Sequence, residues 1–469
     1  MNESLTSLDA VEMARLVAAR ELSPVELVQA HLDHIDAVND GLNAVVVPAP
    51  DAIDRARDAE RAVASGAPLG PLHGIPYTIK DSIDVAGFPT TSGSLLTSRT
   101  PATADAAVVA RIRAAGGVLL GKTNTPEFTL WWETDNRVFG RTNNPWNTDR
   151  TTGGSSGGEA AAISSGMSPL GIGSDSGGSI RVPAAYCNIF GLKPTHGRVP
   201  ITGHVPYTLL QATHVGPLAR SARDIALVLS VIEGPDGRDH YAPPVPPTQF
   251  PDLSGPMSPL RVGFYAEGPV SPVAAEVQAA VRSAAGTLTG LGCEVEEVPL
   301  PFMSSVDSLG ASGAIAASEG IPYLATFIKG READLGVSMK RRMDAPKPTH
   351  ADHIAGLAVR EALRAGFMEY FGKFDLLLCP ATAVPAPPHD SVELDIDGQI
   401  TPGRTALMCT AVFDLTGAPA ISVPFGWSSE GLPIGVQMVG RHFDEATVVH
   451  AANVLADAGD AVGKRPPIE

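Results

Sequence analysis

Helical and strand-like hydrophobic patterns alternate along the chain. In "SPVELVQAHLDHIDAV" the apolar residues recur at helical spacing, Ser23 is suited to cap the helix, and Pro24 suits its first turn. The segment "TADAAVVARIRAAGG" has the same periodicity and runs into Gly116 and Gly117, which predicts a helix that ends there. Further helical patterns cover residues 157–165, 221–232, 272–290, 355–371 and 444–458.

Short continuous apolar runs lie between these helical segments. They read "VLLG", "SPLGIGSD", "LLLCPAT", "PAISVPFG" and "IGVQMVG". Apolar runs of this length, bounded by turn residues, predict buried strands. Strands that alternate with helices are typical of an α/β protein, so we expect a mixed or mostly parallel sheet.

Two segments interrupt this alternation. Residues 235–257 are rich in proline and predict a connection between two halves of one sheet. Residues 300–350 are poorly periodic and contain Gly and Met, which predicts a loop-rich insertion near the mouth of a pocket.

Composition and charge narrow the function. A net charge of −17 disfavours a nucleic-acid surface and an anionic membrane. No apolar run reaches the roughly 20 residues of a bilayer-spanning helix, and the N-terminal segment has no secretory pattern. The cysteines are far apart and form no CxxC motif, which indicates a reducing compartment. We therefore expect a cytoplasmic protein.

Three pattern matches do not predict a site. "GGVLLGKT" fits a P-loop, but a helix precedes it and its apolar spacer is itself the predicted strand. "GGSSG" fits a nucleophile elbow, but no convincing histidine follows in a strand-end loop. "HLDH" places two histidines on one helix without a third metal ligand, which favours a solvated helix face.

Two Gly-Gly-Ser loops and one lysine remain as candidate chemistry. "TTGGSSGGEAA" carries Ser155, and "GSDSGGSIR" carries Ser179. A serine hydroxyl is a weak nucleophile at neutral pH and requires a base. Lys80, in the apolar stretch "GIPYTIKD", would have a lowered pKa if it were buried. An ordinary strand-end lysine paired with Asp81 is the alternative interpretation.

Together these segments resemble the amidase signature family. The resemblance rests on "GGSSGG", "GSDSGGSIR", "GLKPT", "GPLHGIPYTIKD", "GKTNTPEF" and the late "LTGAPAISVPFG" and "GLPIGVQMVGRHFDEAT". It runs from about residue 5 to 460 and is weakest in 235–370. It implies the amidase signature fold, a large mixed twisted β-sheet flanked by helices on both faces. We expect one domain over 1–469, with a catalytic signature core at 60–235 and a variable loop-rich insertion at 235–370.

The resemblance also implies roles for individual residues. Ser179 would be the nucleophile, Ser155 a bridging serine after a cis peptide bond, and Lys80 the base. The oxyanion hole would consist of the backbone N–H groups of Ser176, Gly177, Gly178 and Ser179. Asp175 and Arg181 would hold this loop in place, and Ser156 would support the proton relay.

The implied activity is hydrolysis of a linear amide through a seryl acyl-enzyme, without a metal or organic cofactor. The aromatic segment "PEFTLWWETDNRVFG" makes Thr129 and Trp131 candidate substrate-binding residues, and the loop 201–213 is a weaker candidate. We expect an aryl or hydrophobic amide as the small-molecule substrate, with esters or carbamates as side activities. As partners we expect no nucleic acid and no membrane, and as oligomeric state a monomer or homodimer.

The family also includes a different class of protein, the glutaminase A subunit of a tRNA-dependent amidotransferase complex. That component often reads "SFDQIGP" where this chain reads "QATHVGP", and its tyrosine-rich segment is not evident here. Both departures favour a free-standing hydrolase. A catalytically inactive scaffold is disfavoured, because all three triad positions are filled.

Overall fold

The structure is a computed structural model that describes residues 2–97, 99–209, 211–269 and 271–468. The predicted ranges also include positions 1, 98, 210, 270 and 469, which lie outside the described residues. None of the helices in the described part of the chain combines the length and the apolar character that a bilayer crossing requires.

Helices pack around the central sheet. They are α1 (Asn2–Ser7), α2 (Ala10–Ala18), α3 (Pro24–Leu42), α4 (Ala52–Ser65), α5 (Ala107–Ala114), α6 (Gly157–Ser164), α7 (Arg181–Tyr186), α8 (Ala222–Ile232), α9 (Ala275–Gly290), α10 (Pro301–Ser304), α11 (Ser308–Ile328), α12 (Val337–Asp344), α13 (His350–Lys373), α14 (Met408–Thr416) and α15 (Glu445–Asp457). Short 3₁₀ helices cover Glu127–Thr129, Glu332–Asp334 and Gly403–Leu407.

The strands supply one large sheet and two small ones. They are β1 (Val45–Pro48), β2 (Pro76–Lys80), β3 (Val118–Thr123), β4 (Asn143–Asn144), β5 (Asn147–Thr151), β6 (Leu170–Asp175), β7 (Phe190–Lys193), β8 (His214–Ala219), β9 (Arg261–Phe264), β10 (Glu294–Glu297), β11 (Leu376–Pro380), β12 (Glu393–Ile396), β13 (Gln399–Pro402), β14 (Ala420–Trp427) and β15 (Pro433–Gly440).

Within the described residues, eleven strands form the large mixed sheet in the order β1-β3-β2-β6-β8-β7-β14-β15-β11-β9-β10. The strands β3, β2 and β6 are parallel neighbours, as are β11, β9 and β10, whereas the central pairs are antiparallel. Strands from both sides of the proline-rich connection belong to this sheet, so the predicted mixed α/β fold is confirmed.

Local chemistry explains several of the predicted boundaries. Helix α3 begins as expected, because the Ser23 hydroxyl accepts hydrogen bonds from the backbone N–H groups of Val25 and Glu26. Helix α5 ends just before Gly116, which adopts φ +92°. Strand β3 contains the "VLLGKT" of the P-loop match, so that segment is a buried strand rather than a phosphate-binding loop.

The structure corrects the expectation of a loop-rich insertion at 235–370. The proline-rich part is irregular, but helices α10 to α13 occupy most of residues 301–373. Helix α11 has a weak helical pattern, because it contains many small residues and because the apolar Tyr323 and Phe327 lie on its open face. Periodicity in the sequence therefore did not reveal this helix.

Candidate active site

The sheet topology brings Lys80 to the edge that carries the second Gly-Gly-Ser loop. Lys80 is the last residue of β2, and β2 lies parallel to β6, which ends at Asp175. The carboxyl ends of parallel strands meet at one edge of a sheet, where α/β proteins gather their active sites. The loop with Ser179 follows β6 directly.

The amine of Lys80 is buried and contacts Ser155. The side chain is 0% exposed, and its Nζ lies 2.6 Å from Ser155 Oγ and 3.0 Å from Ser174 Oγ. Burial lowers the pKa of Lys80 to about 7, although the charges of Asp175 and Glu159 act in the opposite direction. A neutral amine is therefore well populated at neutral pH, as a general base requires.

Asp81 is not the partner of Lys80. Its carboxylate lies 2.8 Å from the Nζ of Lys122, which is also fully buried. The alternative interpretation of Lys80 as an ordinary paired lysine is therefore wrong.

Ser155 lies in the turn between β5 and α6. The Gly154–Ser155 peptide bond is cis, as the resemblance implies. A Cβ on Gly154 would lie 2.9 Å from the carbonyl oxygen of Trp131, so the close approach of this backbone requires glycine. The Thr125 hydroxyl also donates to the Ser155 carbonyl at 2.8 Å.

Ser179 lies on the neighbouring loop and is partly exposed. The Ser156 backbone N–H donates to the Ser179 carbonyl at 3.1 Å, which joins the two Gly-Gly-Ser loops. The structure thus brings Lys80 and Ser155 into direct contact and holds Ser179 on the adjoining loop. The roles of nucleophile, bridge and base remain a prediction.

The loop that carries Ser179 is folded around one buried carboxylate. Asp175 accepts hydrogen bonds from the backbone of Gly178 at 2.5 Å and Ile180 at 3.0 Å, and from the Arg181 guanidinium. Burial alone would raise the pKa of Asp175, but the Arg181 charge and these hydrogen bonds hold it below its ordinary value. These contacts are the ones expected of a structural role for Asp175 and Arg181.

The same hydrogen bonds bear on the predicted oxyanion hole. The N–H groups of Gly177 and Gly178 donate to Asp175 Oδ1. The N–H groups of Ser176 and Ser179 have no acceptor among the residues that the structure describes. An oxyanion at this loop would therefore meet the N–H groups of Ser176 and Ser179, whereas those of Gly177 and Gly178 point at Asp175. The four-residue hole stays a prediction.

The predicted substrate-binding pair lies on the segment that precedes Ser155. Trp131 lines a cavity of about 550 Å³ together with Leu130, Arg137 and Met339. Thr129 is partly buried at the end of a 3₁₀ helix and has φ +60°. Their contact with substrate stays a prediction.

Sequence reasoning assigned no individual role to the residues of two further groups. In the first group, Ser174, like Ser155, contacts Lys80, and His204 contacts Ser174. Arg342 and Arg404 line a cavity of about 680 Å³, and the pKa of Arg342 is lowered by burial and by the Arg404 charge. The histidine of "GHVP" and the arginines of "KRR" and "PGRT" stand in no motif, so only the fold reveals their contacts.

Both histidines of the "HLDH" pair contact backbone carbonyl oxygens. His31 is fully buried, rather than solvated as expected, and its Nδ1 lies 3.2 Å from the carbonyl oxygens of Gly166 and Met167. No cluster of ligands suited to a metal ion occurs in the described part of the chain.

Comparisons with known proteins agree with the resemblance. The sequence profile of the Amidase family matches residues 26–449. The chain is 33% identical to the A subunit of the glutamyl-tRNA(Gln) amidotransferase of Carboxydothermus hydrogenoformans, over 98% of this chain and 99% of that protein.

Solved structures are also similar over nearly the whole chain. One, described as a vestigial protein complex that reveals the origins of an s-triazine catabolic enzyme, matches with a TM-score of 0.90, 33% identity and coverage of 97% and 100%. A bacterial aryl acylamidase of the amidase signature family matches with a TM-score of 0.87, 31% identity and coverage of 96% of both chains.

These relatives correct the predicted partners. We expected a free-standing monomer or homodimer with a small-molecule amide and without a nucleic-acid partner. That prediction is wrong, because relatives that match nearly the whole chain are subunits of an amidotransferase named for a glutamyl-tRNA. The net charge describes only the outer surface, and the two divergent motifs describe only single loops. Neither observation excludes a partner protein that binds the tRNA.

Proposed function

The chain belongs to the amidase family, and on that premise we propose that it is a serine-dependent amidohydrolase acting as the glutaminase A subunit of a tRNA-dependent amidotransferase complex. The observation that carries the catalytic part is the 2.6 Å contact between Lys80 Nζ and Ser155 Oγ in a fully buried environment. The relatives named above support the assignment to a complex.

The proposed reaction proceeds through an ester on Ser179. Its oxygen attacks the amide carbonyl while its proton passes to Ser155, whose own proton passes to Lys80. The C–N bond then breaks, and the proton returns through Ser155 to the leaving nitrogen, which departs as ammonia. Water attacks the ester by the same relay, releases the acid and restores Ser179.

Backbone donors next to Ser179 would stabilise the tetrahedral oxyanion. Loss of one such donor typically lowers the rate by about 10²–10³. Asp175 orients the Gly177 and Gly178 amides, so the loop is held before substrate arrives.

The cavity with two arginines supports glutamine as the amide. Glutamine carries a carboxylate and an ammonium group beside its carboxamide. The cavity is lined by Arg342 and Arg404 and by the acidic Asp307 and Asp352. Arg342 and Arg404 place two guanidinium groups on the wall of this cavity, so a substrate carboxylate bound there would pair with a cation.

The cavity is linked to the catalytic loop through one helix. Arg404 belongs to the 3₁₀ helix that leads into α14, and the Thr410 hydroxyl of α14 donates to the Gly177 carbonyl at 2.8 Å. We also propose that residues 60–235 form the catalytic core and that residues 235–370 form part of the substrate-binding cavity. The cytoplasm is the proposed location, which fits four free and buried cysteines.

The test measures ammonia release from glutamine by the purified chain, alone and with its partner subunits and glutamylated tRNA. Ser179→Ala and Lys80→Ala should abolish turnover, whereas the exposed Ser283→Ala and Lys329→Ala should retain it. A fluorophosphonate should label the wild-type protein at Ser179, as located by peptide mass. Labelling of a different residue would overturn the assignment of the nucleophile.

Hydrolysis of an aryl amide is a second candidate. Trp131 and Leu130 give the 550 Å³ cavity an aromatic and apolar wall, and the aryl acylamidase is similar over nearly the whole chain. Anilides, esters and carbamates assayed beside glutamine decide between the two functions. A kcat/KM for an anilide that exceeds the value for glutamine in the assembled complex would favour this candidate.

A further inference from the structure

A chain of polar groups extends from Lys80 on the side opposite Ser155. Ser174 Oγ lies 3.0 Å from Lys80 Nζ, and His204 Nε2 lies 2.9 Å from Ser174 Oγ. At the end of this chain, His204 Nδ1 lies 3.3 Å from the Pro206 carbonyl oxygen. All three side chains are buried.

The Pro206 carbonyl fixes the tautomer of His204. Burial and the Lys80 charge lower the pKa of His204 to about 3, so its ring is neutral and carries one N–H. A carbonyl oxygen only accepts hydrogen bonds, so Nδ1 carries that hydrogen and Nε2 is an acceptor. The Ser174 hydroxyl therefore donates to His204.

The direction of this bond decides which way the lone pair of Lys80 points. A neutral amine has two N–H groups and one lone pair, and Lys80 has three contacts: the Ser174 carbonyl at 3.3 Å, Ser174 Oγ, and Ser155 Oγ. The carbonyl takes one N–H. Ser174 Oγ, having given its own hydrogen to His204, takes the second, which leaves the lone pair for the Ser155 hydroxyl.

We propose that His204 is a positioning residue that acts through Ser174 to keep the lone pair of Lys80 directed at Ser155. This inference rests on the proposed serine amidohydrolase function and adds a further pair of residues to it. Backbone contacts hold His204 in place, because the N–H of the next residue, Val205, donates to the Ser82 carbonyl at 2.7 Å.

Loss of the His204 acceptor would reverse the direction of the hydrogen bond between Ser174 and Lys80. In His204→Leu the Ser174 hydroxyl has no partner on that side and turns to donate to Lys80. It then occupies the lone pair that Ser155 requires and stabilises the neutral amine. The other ionisable groups that face Lys80, Asp175 and Glu159, are unchanged by this substitution.

The experiment measures fluorophosphonate labelling of Ser179 and amide turnover against pH in the full chain with its partner subunits. His204→Leu should lower kcat about 10- to 100-fold with KM little changed, and should move the acidic limb of the pH profile to lower pH. His204→Gln, which keeps an acceptor oxygen, should recover most of the rate. His31→Leu is the matched control, because His31 is also buried and also contacts backbone carbonyls. It should leave the limb in place.

A double-mutant cycle separates positioning from general stability. Since His204 acts through Ser174, adding His204→Leu to Ser174→Ala should lower kcat no further than Ser174→Ala alone. Additive losses, or a His204→Leu profile with the wild-type limb, would overturn the inference. Absence of labelling at Ser179 in the wild type, or full activity of Lys80→Ala, would instead refute the proposed function.

Discussion

The carboxylate of Asp175 lies between the guanidinium of Arg181 and the backbone of the loop that carries Ser179. Arg181 Nε is 3.0 Å from Asp175 Oδ2, and both side chains are 0% exposed. A second arm of the same guanidinium lies 2.6 Å from Asp414. One planar cation thus contacts two buried carboxyl groups and shapes the loop.

Arg181→Lys should therefore destabilise the fold and lower activity. A lysine presents a single point charge and would leave Asp175 or Asp414 without its partner. Breaking a buried ion pair typically costs about 3–5 kcal/mol, which urea unfolding measures directly. The pair of the exposed Arg261 with the partly buried Asp375 supplies the control. Arg441 also contacts Asp375, so Arg261→Lys should change stability by less than about 1 kcal/mol. Equal effects of the two substitutions would contradict this prediction.

Gly178→Ala should impair catalysis, whereas Gly177→Ala should leave the fold as stable as the wild type. Gly178 has φ +127°, and a Cβ there would collide with the Thr410 hydroxyl. A Cβ on Gly177 would meet nothing within 4 Å. We expect kcat of Gly178→Ala to fall by about 10² or more, because the shifted backbone moves the N–H donor of Ser179 itself. The melting temperature of Gly177→Ala should stay near that of the wild type. A fully active Gly178→Ala would show that the loop tolerates the shift.

The rate should rise with pH through about 7 and then level off, since burial lowers the pKa of Lys80 to about 7 and the neutral amine is the base. Glu159→Gln should move this limb to lower pH. Burial raises the pKa of Glu159 itself to about 7, so part of its charge is present on this limb. That charge raises the pKa of Lys80, so its removal leaves the neutral form of the amine more favourable. Profiles of kcat/KM for the two proteins test the shift, and an unchanged or upward-moving limb would refute it.

The sequence predicted the parts of this fold that depend on strong local patterns. Helix α3, with its Ser23 cap, and the buried strands β6 and β14 are such parts. Helix α11 was missed because its small residues leave little helical periodicity.

The residues of the candidate site also fall into those that a sequence pattern predicts and those that it does not. Lys80 and Ser155 stand in motifs, and the structure brings them into contact. His204 and Arg342 stand in no motif, because what matters about them is a tertiary contact with Ser174 or a position on a cavity wall.

Lys80→Met should change how stability depends on pH. The pKa of Lys80 falls from an ordinary value of 10.5 to about 7 in the folded protein because of burial. Between these values the unfolded chain holds a proton that the folded chain has released, so the contribution of Lys80 to stability rises with pH. The stability of the wild type should therefore increase relative to Lys80→Met between pH 7 and 10. One pKa unit corresponds to about 1.4 kcal/mol, so urea unfolding at several pH values should resolve the difference. A difference independent of pH would show that the amine is charged in the folded state.

Arg342→Met should weaken binding of glutamine without removing the catalytic machinery. Arg342 lies on the cavity wall beside Arg404, so a substrate carboxylate bound in the cavity would pair with its guanidinium. We expect KM for glutamine to rise about tenfold or more, as loss of a charge-assisted hydrogen bond of about 1.5–3 kcal/mol implies. KM for a simple aliphatic amide, which has no carboxylate, should stay unchanged. The nearby Lys340 is exposed, and Lys340→Met is the matched control. If Arg342→Met raised KM for both amides equally, Arg342 would shape the cavity rather than bind a carboxylate, and the case for glutamine would lose its structural support.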